Sequence, residues 1–267
     1  MERVISLSKR MQAAADLVSQ GRRVCDVGCD HGYVSIYLVQ SGKSPRVLAM
    51  DVRKGPLLRA QEHVRRYRAE DYITLRLSDG LSAYRAGEAD TLLCAGMGGR
   101  LMMEILEKDR EKTADFEELV LQPQSDLPLF RKFLRENGYR FIEERMVFEE
   151  GKFYPLMKVV RSSDSSAKQT QEAEKGGGDG TPLEDETPLE DGKPLEDGEE
   201  ILLGDLLGPL LLKERDPYLL RFVQREIRIK QEILERLGSD GARHQGRVRE
   251  LAGELSLLKK AEALWGM

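Results

Sequence analysis

The stretch Arg23-Val24-Cys25-Asp26-Val27-Gly28-Cys29-Asp30-His31-Gly32-Tyr33 (residues 23–33) decides the fold. Arg23–Val27 is a short apolar run of buried-strand type, Gly28–Gly32 a tight glycine-bearing loop, and Tyr33–Gln40 continues as a helix. The same alternation repeats downstream. "VLAMDV" (47–52) is a second strand, and Pro56 opens a helix over 57–69, since proline is tolerated in a first helical turn. Ile73–Leu77 is a third strand, and "DTLLCA" (90–95) a fourth. The fourth runs into a Gly96–Gly99 loop and a helix over 100–108. Glu118–Gln122 is a fifth strand, followed by a helix over 126–137 that Gly138 closes. Arg140–Glu149 and Tyr154–Val160 then read as two antiparallel strands joined at Glu150-Gly151-Lys152, and residues 4–19, with apolar positions at helical spacing, form a leading helix. Strands alternating with helices imply an α/β, doubly wound, mostly parallel sheet, here with a terminal antiparallel hairpin.

The 267 residues allow one large domain, or a medium one with a smaller partner. Hydrophobic residues make up 40%, enough for a core; charged residues make up 33%, above the usual quarter. Residues 161–200 carry four basic and thirteen acidic side chains, a balance of −9, so the rest of a chain of net charge −5 stands at +4. Such mild basicity permits a nucleic-acid partner without requiring one. The segment contains the threefold repeat "TPLEDE TPLEDG KPLEDG" (181–198), a composition that buries too little apolar surface to order itself and reads as an acidic linker. Beyond it, Leu220, Val223, Ile227, Leu234 and Leu237 form one stripe, and Val248, Leu251, Leu255 and Leu258 another, on either side of the turn Gly238-Ser239-Asp240-Gly241. These predict a coiled-coil-like helical hairpin. The expected organisation is a domain over 1–160, a linker over 161–200 and a helical hairpin over 201–267.

Three cysteines give no disulfide framework, and with only three histidines no metal site is expected. The apolar run Ile201–Leu212 is interrupted by Gly204, Asp205 and Gly208 and is too short to span a bilayer. Without a signal-type N-terminus, the expectation is a cytoplasmic chain, away from membranes and monomeric.

Chemistry-bearing residues fall at the carboxyl ends of the strands, where open α/β sheets bind ligands. In the first loop Gly28 and Gly32 let the backbone approach a ligand closely. The acids Asp26 and Asp30 would repel a pyrophosphate and suit a cationic cofactor, S-adenosylmethionine, whose ammonium group Asp26 would meet. Asp51, about twenty residues on, stands where a ribose-binding acid belongs. Asp79-Gly80 follows the third strand, where an acid accepts from the adenine amine. Each is also an ordinary turn residue taken singly; together they form a site. Gly96 and Met97, at the same edge, are further candidate cofactor contacts, Met97 also reading as a core residue. Cys94 reads as core.

The strings "LSKRMQ" (7–12), "DVGCDHGY" (26–33), "SDGL" (78–81), "AGMGGRLMMEIL" (95–106), "LVLQPQ" (119–124), "LRENGYRFIEERMVFEEGKFY" (134–154) and "GPLLL" (208–212) resemble the bacterial tRNA (adenine(22)-N1)-methyltransferase family. The resemblance covers residues 5–160, resumes near 201 and leaves 161–200 as an insertion. It implies a Rossmann-like class I methyltransferase domain with a C-terminal helical extension, S-adenosyl-L-methionine as cofactor and a D-arm adenine of tRNA as acceptor. Asp30 is then the candidate to face the positive charge developing on the base. His31 contacts cofactor or base, or packs in the loop. The absence of an N-P-P-Y aromatic beside Gly96–Gly99 argues against reaction at the exocyclic nitrogen. Lys9, Arg10, Arg22 and Arg23 are candidate phosphate contacts, and Tyr154 stacks on RNA or across its hairpin. The competing readings are a methyltransferase for a small molecule or another RNA, and a non-catalytic RNA-binding protein.

Overall fold

The computed structural model describes residues 5–162, 197–238 and 245–266. Within them the chain runs α1 (Lys9–Leu17), β1 (Val24–Val27), α2 (Tyr33–Gln40), β2 (Val47–Asp51), α3 (Lys54–Arg66), β3 (Ile73–Leu77), β4 (Thr91–Met97), α4 (Gly99–Lys108), α5 (Arg110–Thr113), β5 (Glu118–Pro123), α6 (Leu127–Glu136), β6 (Tyr139–Glu149) and β7 (Lys152–Arg161). The C-terminal part adds α7 (Asp197–Leu207), α8 (Pro209–Lys213), α9 (Pro217–Gly238) and α10 (Gln245–Ala263). Among the described residues the strands form one sheet of order β3-β2-β1-β4-β5-β7-β6. The first five are parallel; β7 is antiparallel to β5, and β6 to β7. The order reverses between β1 and β4, which opens a crevice at their carboxyl ends.

Burial on both faces explains why the central strands read as near-continuous apolar runs. In β1, β2 and β5 every residue is buried. Side chains alternate between two cores, as strand period dictates. Cys25, Val27, Leu48, Met50, Leu92 and Cys94 pack with Met102 and Ile105 of α4 and Phe130 of α6. Val24, Val47, Ala49 and Leu93 pack on the other face with Leu17 of α1, Ile36 of α2 and Val64 of α3. Cys94 is a core residue, as expected. At the hairpin tip Glu150 and Gly151 both have positive φ, which suits a two-residue turn between twisted strands.

The structure alters three expectations. The leading helix is shorter than 4–19, occupying Lys9–Leu17. Gly96 and Met97 do not lie in a loop: β4 continues through Met97 after a register shift between Ala95 and Met97. Gly96 takes φ +84° there, and a glycine at positive φ lets a strand bulge and resume. On α9 the buried stripe uses Leu219, not Leu220, with Val223 and Ile227; on α10 it uses Leu251 and Leu258.

The C-terminal helices join the sheet through a mixed core. Met146 of β6 packs with Leu203 and Leu207 of α7, Leu211 of α8, Leu219 and Val223 of α9, and Leu258 and Ala261 of α10. No helix among the described residues is long and apolar enough to cross a membrane. Residues 163–196, which hold most of the acidic stretch, and the Ser239–Gly241 part of the turn lie outside the described residues.

Candidate active site at the carboxyl edge of the sheet

The crevice holds a cavity of about 440 Å³, within the usual range for small-molecule sites. Its floor and walls come from the ends of β1, β2, β3 and β4. Asp26, second to last in β1, lines the cavity and is only 4% exposed. Desolvation pushes its carboxyl up to about 6; the hydroxyl of Ser35, donating at 2.6 Å, works against that rise, and the charge of Asp51 adds to it. Gly28 follows at φ +75°, and a Cβ there would lie 3.3 Å from the Met97 thioether. A side chain at that position would press on Met97.

Asp51, buried at the end of β2, ties two loops together. Its Oδ1 accepts the Arg53 backbone N–H at 2.8 Å, and its Oδ2 that of Asp30 at 3.2 Å. Asp30 stands at φ +48° at the cavity mouth with its side chain 60% exposed. Asp79 and Gly80 line the cavity from the turn after β3, where Asp79 pairs with Lys108 Nζ at 2.7 Å. Gly80 has φ +57°, and a Cβ would come 3.1 Å from Ile105, so its glycine admits α4. Asp26, Gly28, Asp30, Asp51, Asp79, Gly80, Gly96 and Met97 therefore meet around one cavity.

Other candidates lie elsewhere. Gly32 heads α2 at φ +74°, and a Cβ there would press on Ala60 at 3.2 Å, so it serves the packing of α2 on α3 and lies outside the cavity lining. His31 also lies outside the lining. Its Nε2 is 3.5 Å from Asp30 Oδ2, and its ring joins those of Tyr33 and His63 in a surface cluster. Lys9 meets the hairpin through its backbone N–H, which donates to Glu149 at 2.6 Å. Arg10 does line the cavity: its guanidinium lies 5.3 Å from the centroid of Tyr154 and 3.9 Å from Glu149, and it donates to Gln122 at 3.5 Å. Tyr154 thus supports Arg10.

Arg22 and Arg23 correct the sequence reading. Both precede β1, at the amino edge of the sheet, opposite the cavity. Arg22 pairs with Glu117 at 2.5 Å, and Arg23 grips Asp90 through two nitrogens at 2.5 and 3.1 Å. Their proximity to Asp26 in sequence is undone by the length of the strand between them.

The sequence reading missed Met11, Arg53, Leu101 and Gln124, all on the cavity wall. Gln124 had a usable signal: it follows β5 directly, in "LVLQPQ", at the same sheet edge as the acids.

A doubly wound sheet of this order, with acids from three strand ends around a glycine-floored crevice at the switch point, defines a Rossmann-like methyltransferase. A methyltransferase-domain family model matches residues 7–157. The Bacillus subtilis (strain 168) protein named tRNA (adenine(22)-N(1))-methyltransferase is 31% identical over 258 residues, which span 96% of this chain and 97% of that one. The crystal structure of the B. subtilis M1A22 tRNA methyltransferase superposes with a TM-score of 0.76 at 29% identity, covering 96% of this chain and 99% of that one. A Streptococcus pneumoniae chain crystallised in complex with S-adenosyl-L-methionine gives 0.74 at 27% identity, with 96% and 100% covered. The chain belongs to the tRNA (adenine(22)-N1)-methyltransferase family.

Proposed function

We propose that the chain transfers the methyl group of S-adenosyl-L-methionine to N1 of adenine 22 in tRNA, acting as a monomer in the cytoplasm. The observation that carries this reading is the convergence of Asp26, Asp30, Asp51 and Asp79 on one cavity, beside the bare backbone of Gly96. Four carboxylates favour a cationic ligand over a pyrophosphate. Gly28 lines the same cavity at φ +75°, so its bare backbone is open to a ligand laid against the loop.

In this reading Asp26 holds the ammonium of the cofactor, Asp51 its ribose hydroxyls and Asp79 its adenine amine, the last in exchange for the Lys108 contact. The cofactor, when bound, supplies an electrophilic methyl on a sulfonium. The protein then has no proton to remove, because adenine N1 already carries a lone pair. Its work is to orient that lone pair and to stabilise positive charge on the base. Asp30 does the second at the cavity mouth, with His31 as a positioning residue beside it. N1 lies on the pairing edge, so a paired target base must leave its helix to enter. Arg10, stacked on Tyr154 at the rim, contacts the backbone of the displaced nucleotide, and Lys9 adds charge next to it.

Cofactor affinity should depend on pH through Asp26. Its free carboxyl titrates near 6, and only the ionised form attracts a cation. Affinity is expected to be level above that pH and to weaken below it by up to about tenfold per pH unit. Calorimetric titration with S-adenosyl-L-methionine at about pH 5 and pH 8 checks this; equal affinities would remove Asp26 from the site. The reaction itself is tested by mapping methylated nucleosides in tRNA transcripts after incubation with protein and cofactor. Methyl on N1 of adenine 22 is expected; methyl elsewhere, or none, overturns the proposal.

A further inference from the structure

Resting on that reading of the reaction, we infer that the side-chain amide of Gln124 reads the N6–N7 edge of the target adenine. The inference starts from what Gly96 leaves open. A Cβ built there would lie 3.7 Å from both Arg10 Nη1 and Gln124 Nε2, and 3.8 Å from the Met11 methyl. The bare face of the glycine therefore opens a slot bounded by a guanidinium, an amide and a thioether, and all of these groups line the cavity. Met11 offers an apolar surface for a ring. Arg10 is held against Tyr154, Glu149 and Gln122, and stays at the rim.

Two amides stand at the end of β5, and they differ in one respect. Gln122 is buried and engaged at both ends: its Oε1 accepts from Arg10 and its Nε2 donates to the Pro123 carbonyl at 3.4 Å. Gln124 is exposed to the cavity, and its side chain has no hydrogen-bond partner among the described residues. Its backbone is fixed, because its N–H donates to the Met97 carbonyl at 2.9 Å. The result is an unengaged donor–acceptor pair on an anchored Cα, beside the slot.

Adenine has a matching edge. With N1 turned to the methyl donor, the N6 amine and N7 remain on the other side of the ring. They present a donor and an acceptor, and a primary amide is the side chain that matches both at once. Guanine presents O6 and N7, two acceptors, so the amide carbonyl would oppose O6 and guanine would be rejected. Neutrality matters as well, since an ammonium in place of the amide would oppose the charge that develops on the base.

The test uses the full chain and tRNA transcripts with adenosine or 7-deazaadenosine at position 22, compared for wild type and Gln124→Met. The substitution keeps length and lies on an exposed side chain, so the melting temperature and cofactor affinity should not move. On adenosine the variant is expected to lose roughly 10- to 100-fold in kcat/KM, the range for a bidentate contact. Wild type should lose roughly tenfold when N7 is removed, whereas the variant should no longer distinguish the two bases. A variant within about twofold of wild type on adenosine overturns the inference. So does an undiminished 7-deaza penalty in the variant. If wild type places no methyl on N1 of adenosine 22, the reading of the reaction fails, and this inference falls with it.

Discussion

Asp26→Asn is expected to make the protein more stable and unable to bind its cofactor. The carboxyl is buried near the end of β1 and its folded pKa is raised from 3.8 to about 6. An acid shifted upward favours the protonated fold. In the unfolded chain it ionises at its ordinary value, so stability falls as pH rises from near 3.8 towards 6 and stays reduced above. At about 1.4 kcal/mol per unit, the penalty at neutral pH is at most roughly 3 kcal/mol. Asparagine removes the charge and keeps an oxygen for the Ser35 hydroxyl. A gain of about 1–3 kcal/mol, or roughly 3–8 °C in Tm, is expected at pH 7.5 without cofactor, shrinking to nothing near pH 4. Affinity for S-adenosyl-L-methionine should fall beyond calorimetric detection in the same variant. A variant that melts lower than wild type at pH 7.5, or that still binds, contradicts a strained, ligand-facing carboxylate. Stability given up for a charge at a binding site is a recurrent trade.

The second large effect lies far from the cavity. Arg131 of α6 and Glu144 of β6 form an ion pair at 3.1 Å, with side chains 1% and 0% exposed. Glu144 Oε2 also accepts the Leu210 N–H at 2.9 Å, capping α8, while Arg131 Nη1 donates to the carbonyl of Leu206 at 3.2 Å. Gly208 completes the contact: at φ +104°, a Cβ there would lie 2.8 Å from both oxygens of Glu144. Removing one partner strands a buried charge, so Glu144→Gln is expected to cost about 3–5 kcal/mol in denaturant unfolding. Hydrogen exchange in 203–213 should rise with it, because α7 and α8 lose their anchor. Burial pushes the Glu144 carboxyl up even with the Arg131 guanidinium beside it, so desolvation outweighs the attraction. Arg131→Met combined with Glu144→Leu should therefore recover most of the loss. A single variant as stable as wild type would show that the pair anchors nothing.

These two sites differ in how far they could be read in the sequence. Asp26 was legible because its setting is local. An acid closing an apolar run and followed by Gly28 is ambiguous taken singly, but Asp51 and Asp79 repeat the pattern at two more strand ends. Nothing periodic in the sequence marks Arg131 and Glu144, thirteen positions apart on different elements, as buried. Arg22 and Arg23 failed for a related reason. Four residues of strand carry the chain across the sheet, so neighbours of the loop in sequence stand at its opposite edge. Gly32 reads in the sequence as a cofactor-loop glycine, but it lies outside the cavity lining and packs against Ala60 on α3, which only the tertiary structure brings near.

The sequence by itself determined the alternation of strands and helices, the parallel sheet with its terminal hairpin, and the acids at the strand ends. Each depends on side-chain period, turn chemistry or chain direction, all of which are local. Tertiary structure alone decided that β4 would run on through Gly96 to Met97 and that Gln122 would be engaged while the Gln124 side chain has no partner among the described residues. It also decided that the C-terminal helices would be fastened through a buried charge pair. Those outcomes rest on contacts between residues far apart in the chain. The desolvation and packing that select them exist only once the sheet, α6 and α8 are assembled.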